Sequence, residues 1–171
     1  GLKVEDRSGY YARRGLAHSG RDDRAQQMQG QLLSDLPLTD LPVHGSAGYF
    51  RLKDNRYFVP VWFIGPGSQV QFSRASDKEK ATLDVLGVIR DGQNRPVAWI
   101  QDSVKLSVAA TEEVRRRNVQ YGTSFELPPG FYRLKVVIRE NQLGTFGSFD
   151  STLVVPNLDR NPLRLSSVVL A

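Results

Sequence analysis

The stretch Tyr121–Arg139, YGTSFELPPGFYRLKVVIR, decides the fold. On its first half Val119, Tyr121, Phe125 and Leu127 alternate with Gln120, Gly122, Ser124 and Glu126. After Pro128-Pro129-Gly130, Tyr132, Leu134, Val136 and Ile138 alternate with Arg133, Lys135 and Arg139. Successive side chains leave a strand on opposite sides, so a period of two with one apolar and one polar face marks a half-buried strand. The two runs around Pro-Pro-Gly read as adjacent antiparallel strands, tightly connected. Their outward Arg133, Lys135 and Arg139 read as a solvated basic face, and Tyr121 or Tyr132 is a candidate corner tyrosine whose hydroxyl bonds nearby backbone.

Outward from this stretch the same pattern repeats. Downstream, a turn at Asn141–Gly144 leads into Thr145–Val155, with Phe149, Leu153 and Val155 inward; Leu163–Leu170 supplies a final strand. Upstream, Thr82–Arg90 and Pro96–Val108 flank the strong turn Asp91-Gly92-Gln93-Asn94 and form a long hairpin. Further back lie Ala47–Leu52 and Arg56–Ile64, split by Lys53-Asp54-Asn55, and a short alternating run Gln69–Ser73. Pro60 confines its strand to an edge or a bulge, and Pro37 and Pro42 make Leu36–Val43 an extended bordering segment. Residues 19–34 are the one good helical candidate. Ser19 could cap it, Asp22 and Asp23 suit its positive end, and Ala25, Met28, Leu32 and Leu33 form a narrow apolar stripe. Residues 1–14 read as a short strand with an aromatic-basic exit. Short strands punctuated by regular turns indicate an all-β protein, an immunoglobulin-like antiparallel β-sandwich over residues 36–171, preceded by an N-terminal arm, 1–35, holding a strand remnant and the helix. The arm either packs on the sandwich or is linker.

Composition sets limits. A chain of 171 residues, 40% hydrophobic and 24% charged, is long enough to bury a core and far from the disordered range. There is no cysteine, hence no disulfide and no thiolate metal site. A net charge of +5 permits anionic partners without specifying one. No apolar run approaches the roughly 20 residues that span a bilayer. The chain opens on Gly1-Leu2-Lys3-Val4 with no visible signal peptide and is expected to be a piece of a longer protein.

Candidate chemistry is sparse. His44 lies near Asp40 and Ser46, the residue types of a hydrolase triad, but a triad needs converging geometry and no Gly-x-Ser-x-Gly elbow is present. His18 stands alone in the arm. No catalytic residue, cofactor site or metal site is expected. Arg115-Arg116-Arg117 is the densest charge run; with Glu112 and Glu113 beside it, a solvated loop is the expectation, and nucleic acid is not an expected partner. Trp99, Tyr10 and Tyr11 are candidate contact residues together with Arg115, Arg116 and Arg117. Trp99 is expected to be exposed, and Trp62, flanked by apolar residues, to lie in the core.

Taken together, GLKVEDRSGYYARR, LPLTDLPVHGSAGYF, ATLDVLGVIRDGQNRPV and the stretch from Tyr121 to Pro156 resemble the C-terminal β-rich region of acidobacterial von Willebrand factor A-related proteins. The metal-dependent adhesion motif Asp-x-Ser-x-Ser of the A-type domain is absent, so metal-dependent adhesion does not transfer. The resemblance implies a non-catalytic accessory module of an exported or cell-surface parent, extracellular or periplasmic, serving protein–protein contact or domain spacing. The alternative is a carbohydrate- or cell-wall-binding module that uses exposed aromatics and the basic surface.

Overall fold

A computed structural model describes residues 22–53, 55–75, 78–108, 115–158 and 167. Their elements, in order, are α1 (Asp22–Leu33), β1 (His44–Ala47), β2 (Phe50–Arg51), β3 (Tyr57–Pro66), β4 (Ser73–Ala75), β5 (Lys78–Asp91), β6 (Pro96–Val108), β7 (Asn118–Leu127), β8 (Gly130–Glu140) and β9 (Phe146–Val155). In the larger sheet β5 pairs with β6 and β8, β8 with β9, and short β4 with the start of β5. In the smaller sheet β3 pairs with β7 and with β1 and β2. All these pairings are antiparallel. The fold is an all-β sandwich, with one α-helix among the described residues.

The core fills the space between the sheets. Tyr57, Val59, Val61 and Phe63 of β3 face Leu83, Val85 and Ile89 of β5 and Leu134, Val136 and Ile138 of β8 in one buried cluster. Aromatic packing joins the layers: Phe63 stacks beside Tyr121 at 6.3 Å and meets Phe149 edge-on at 5.7 Å. Gly45 admits the Phe149 ring, which a Cβ there would meet at 2.7 Å.

The period-two pattern thus forms both strands of Tyr121–Arg139, but the strands do not form a hairpin. β7 pairs with β3 and β8 with β5 and β9, so Pro128-Pro129-Gly130 carries the chain from one sheet to the other. Two-residue hairpins need positive φ at a central position, which proline cannot adopt, and Gly130 is not in that region. The Tyr132 hydroxyl donates to the Pro128 carbonyl at 2.8 Å and ties down the crossing, so the corner tyrosine is Tyr132. The β5–β6 and β8–β9 hairpins do form. Asn94 (φ 63°) lets the chain turn in the first, and Gly144 (φ 73°) in the second.

Pro60 also departs from expectation. β3 is central, yet the Pro60 carbonyl accepts from Gly48 N–H at 3.1 Å on the side where β1 ends and β2 has not begun. A residue's nitrogen and carbonyl point to the same side of a strand, so the missing N–H faces that interruption. Gln69–Ser73 is not a strand; a 3-10 turn occupies Gly67–Gln69 and β4 starts at Ser73, although Val70 and Phe72 are buried.

The helix packs against the outer face of the larger sheet. Met28 and Leu32 bury against Val88 and Val137, with Leu38, Leu86 and Phe146 around them. Leu33 is exposed, so the apolar stripe is narrower than its sequence spacing suggests. The chain then runs along the start of β9. Ser148 N–H donates to the Leu38 carbonyl at 3.0 Å and Leu41 N–H to the Phe146 carbonyl at 2.9 Å. A side chain at Gly147 would stand 2.1 Å from the Leu41 carbonyl oxygen, so this close approach requires glycine. Of the expected final strand only Ser167 is described; its N–H donates to the Tyr49 carbonyl at 3.0 Å. The expected strand in 1–14, the Ser19 cap, His18, Tyr10, Tyr11, Glu112 and Glu113 lie outside the described residues.

Candidate functional site

The alternation along β6 turns Ala98 and Ile100 inward and leaves Trp99 outward, 52% exposed, beside Val88 of β5. Trp62 is likewise outward, 37% exposed, which corrects the core expectation. Its neighbours Val61 and Phe63 face the core, and the period of two places Trp62 outside, between Ser46 and Gly122. Gly122 makes room for it: a Cβ there would come within 3.3 Å of the indole. The tryptophans stand on the outer faces of different sheets, so they form no common platform.

Arg115, Arg116 and Arg117 are exposed ahead of β7, and the Arg117 carbonyl accepts from Gly67 N–H at 2.9 Å. Arg117 directly precedes β7 of the smaller sheet and bonds Gly67 just past the end of β3, whereas Trp99 stands on the outer face of the larger sheet beside Val88. The structure therefore does not bring these candidates together. His44 is exposed on β1, opposite Ile64, and is not bonded to Ser46 or Asp40. Among the described residues no group of three or more His, Asp or Glu could hold a metal ion, and no helix is long and apolar enough to cross a membrane.

A different grouping is present on the outer face of the larger sheet. Register sets Trp99, Val88, Lys135 and Asp150 in one row and Arg90, Arg133 and Thr152 in the next, with Phe131 and Val154 paired beyond. A bulge at Ile89/Arg90 puts Pro96 and Val97 alongside Arg90. Phe131 (68% exposed), Val154, Val97 and Trp99 are large exposed hydrophobics, and so are Leu33 and Leu36 at the end of α1. The Lys135 ammonium donates to the Ser34 carbonyl and holds that end of the helix over this row. Among the described residues, four of the ten large exposed hydrophobics thus gather on this sheet face, with Leu33 and Leu36 at the neighbouring helix end. Of these, the sequence marks only Trp99 as a contact candidate. The outward basic residues of β8 were legible, but Lys135 is engaged by the helix end, and Arg139 bonds Asn141 and lies 5.7 Å from the Phe146 ring. Arg133 alone of the three is exposed. Its neighbour Arg90 was invisible because β8 read as the partner of β7.

At the tip of the β5–β6 hairpin, Asp91 accepts from Gln93 N–H at 2.9 Å, from Arg95 N–H at 3.0 Å and from Arg95 Nε at 2.8 Å. The Arg95 side chain, helped by these backbone donors, holds the Asp91 carboxyl below the usual range. Between the sheets, at the opposite end, an open apolar cleft of about 440 Å³, mouth included, is lined by Val43, Phe63, Val70, Val104, Val119 and Tyr121 among others. No charged side chain lines it.

No protein-family model and no curated protein matches the chain. Among solved structures, β-glucuronidase 2 of Bacteroides uniformis is similar over 66% of this chain at 10% identity and a TM-score of 0.42. The match spans 13% of the glucuronidase. The structural-genomics target SoR45 matches 74% of this chain and 95% of its own at 12% identity, TM-score 0.44. A Bordetella pertussis protein described as ApaA matches 70% of this chain and 94% of its own at 11% identity, TM-score 0.43.

Proposed function

We propose that this chain is a non-catalytic β-sandwich module of an exported or cell-surface protein related to the von Willebrand factor A group, working by protein–protein contact or by spacing a neighbouring domain. The observation that carries the contact role is the collection of four exposed hydrophobics, Val97, Trp99, Phe131 and Val154, with Arg90 and Arg133 on one outer sheet face. A flat face built on hydrogen-bonded strands holds its side chains in fixed positions, which lowers the ordering cost of association. Exposed apolar groups gathered in one place favour interfaces. The parentage rests on the strand-and-turn resemblance of residues 1–14, 36–50, 81–97 and 121–156. A carbohydrate-binding module draws less support, because Trp62 and Trp99 stand on opposite faces.

The non-catalytic part is tested by turnover. Purified chain is assayed with chromogenic esters, glycosides and a labelled protein substrate, beside His44→Ala. The expected result is no rate above buffer for either. Turnover by the wild type that His44→Ala abolishes would overturn the reading.

A further inference from the structure

Resting on that contact role, we infer that the Arg90–Arg133 end of the larger sheet's outer face docks an acidic polypeptide segment bearing apolar side chains. Arg90 of β5 and Arg133 of β8 are direct cross-strand partners on that face. Like charges placed opposite each other oppose strand pairing. The Nη1 atom of Arg90 is buried with no hydrogen-bond acceptor, and neither arginine is ion-paired with a carboxylate among the described residues. The carboxylate in the adjoining row, Asp150, stands opposite Lys135 instead. A guanidinium offers five donors and no acceptor, so a buried donor left unmatched is a standing cost. A carboxylate seated against the accessible N–H groups of the two guanidiniums would accept from both and offset their repulsion, although the buried Nη1 itself stays out of its reach.

The surroundings specify the rest of the occupant. Trp99 and Val97 lie on the β6 side of the pair, and Phe131 and Val154 beyond Arg133; all four are exposed. Arginine with aromatic and aliphatic neighbours is the make-up of a protein-contact centre. The two valines offer a saccharide no hydrogen bonds. Charge argues against self-association and against the chain's own N-terminal segment. Residues 1–21 carry Lys3, Arg7, Arg13, Arg14 and Arg21 against Glu5 and Asp6, and the whole chain is +5. The fitting partner is another, acidic chain.

The test titrates a fluorescein-labelled peptide, three repeats of Glu-Phe-Asp-Leu, against the full chain by fluorescence anisotropy. Arg133→Glu, Phe131→Ser and the opposite-face control Trp62→Ala are compared, each checked for an unchanged melting profile. Saturable one-to-one binding is expected, weakened tenfold or more by Arg133→Glu and Phe131→Ser and left intact by Trp62→Ala. A peptide with Lys replacing the acids should not bind. The proposal is overturned by absent peptide binding, by equal binding to Arg133→Glu, or by equal loss in Trp62→Ala. It is also overturned if a galacturonate oligomer binds there and the peptide does not. That last outcome would assign the face to an anionic polysaccharide. Absent peptide binding overturns the docking proposal and leaves the non-catalytic reading, tested by turnover, standing.

Discussion

Glu140 shows how one polar side chain can occupy a core position. It ends β8 opposite Leu83, on the inward side, and is fully buried. Its carboxylate accepts from Gln142 N–H at 2.8 Å and Leu143 N–H at 2.7 Å, so it organises the β8–β9 turn in place of water. Removing this acceptor leaves both turn N–H groups without their partner, and Glu140→Ala is expected to lower stability by about 2–3 kcal/mol, with Glu140→Gln losing roughly half of that, as read by urea unfolding. Asp91 makes a pH prediction. Its folded carboxyl is held below the ordinary range by Arg95, so its contribution is present above the unfolded value and is lost as pH falls through the folded one. Melting temperature followed from pH 6 downward should therefore drop further in the wild type than in Asp91→Asn. Parallel curves would show that the Arg95 contact adds nothing to folding.

At the scale of elements, most strands and the β5–β6 and β8–β9 pairings were legible, whereas Gln69–Ser73 was misread as a strand and the partner of β7 was not legible. Alternation in β7 and β8 reports which side chains face inward, whichever strand lies alongside. Both possible partnerships of Tyr121–Leu127 satisfy the same pattern, and only the backbone restriction of Pro128-Pro129 separates them. The paired positions can be checked covalently, since the chain has no cysteine of its own. Ile64→Cys with Gln120→Cys, direct partners in β3 and β7, should cross-link on mild oxidation, while Glu126→Cys with Arg133→Cys should not. The reverse result would restore the hairpin. For α1 the sequence gives the stripe but not its centre. Leu32→Ala should cost about 2–4 kcal/mol, whereas Leu33→Ala should change stability by less than about 0.5 kcal/mol in the same unfolding measurement.

For the molecule as a whole, the class of fold followed from turn spacing and periodicity, and the candidate face did not. That face is assembled from four strands and a helix end distant in sequence, and no local motif encodes their adjacency. The placement of the two tryptophans gives a whole-molecule check. Both lie outside the core, so iodide should quench the native fluorescence substantially, with neither indole protected, and Trp99→Phe should leave a quenchable Trp62 signal. A large unquenched fraction would return Trp62 to the interior. The sheet-to-sheet crossing also has a consequence in time. β3 is complete at residue 66, but its long partner β7 begins only at residue 118 and ends immediately before the crossing. At synthesis rates of about 5–20 residues per second, the aromatic-rich strand Tyr57–Pro66 leaves the ribosome several seconds before β7 can cover its free edge. The vulnerable interval of this protein is thus during its synthesis, and slowing translation between residues 66 and 127 should lower its soluble yield.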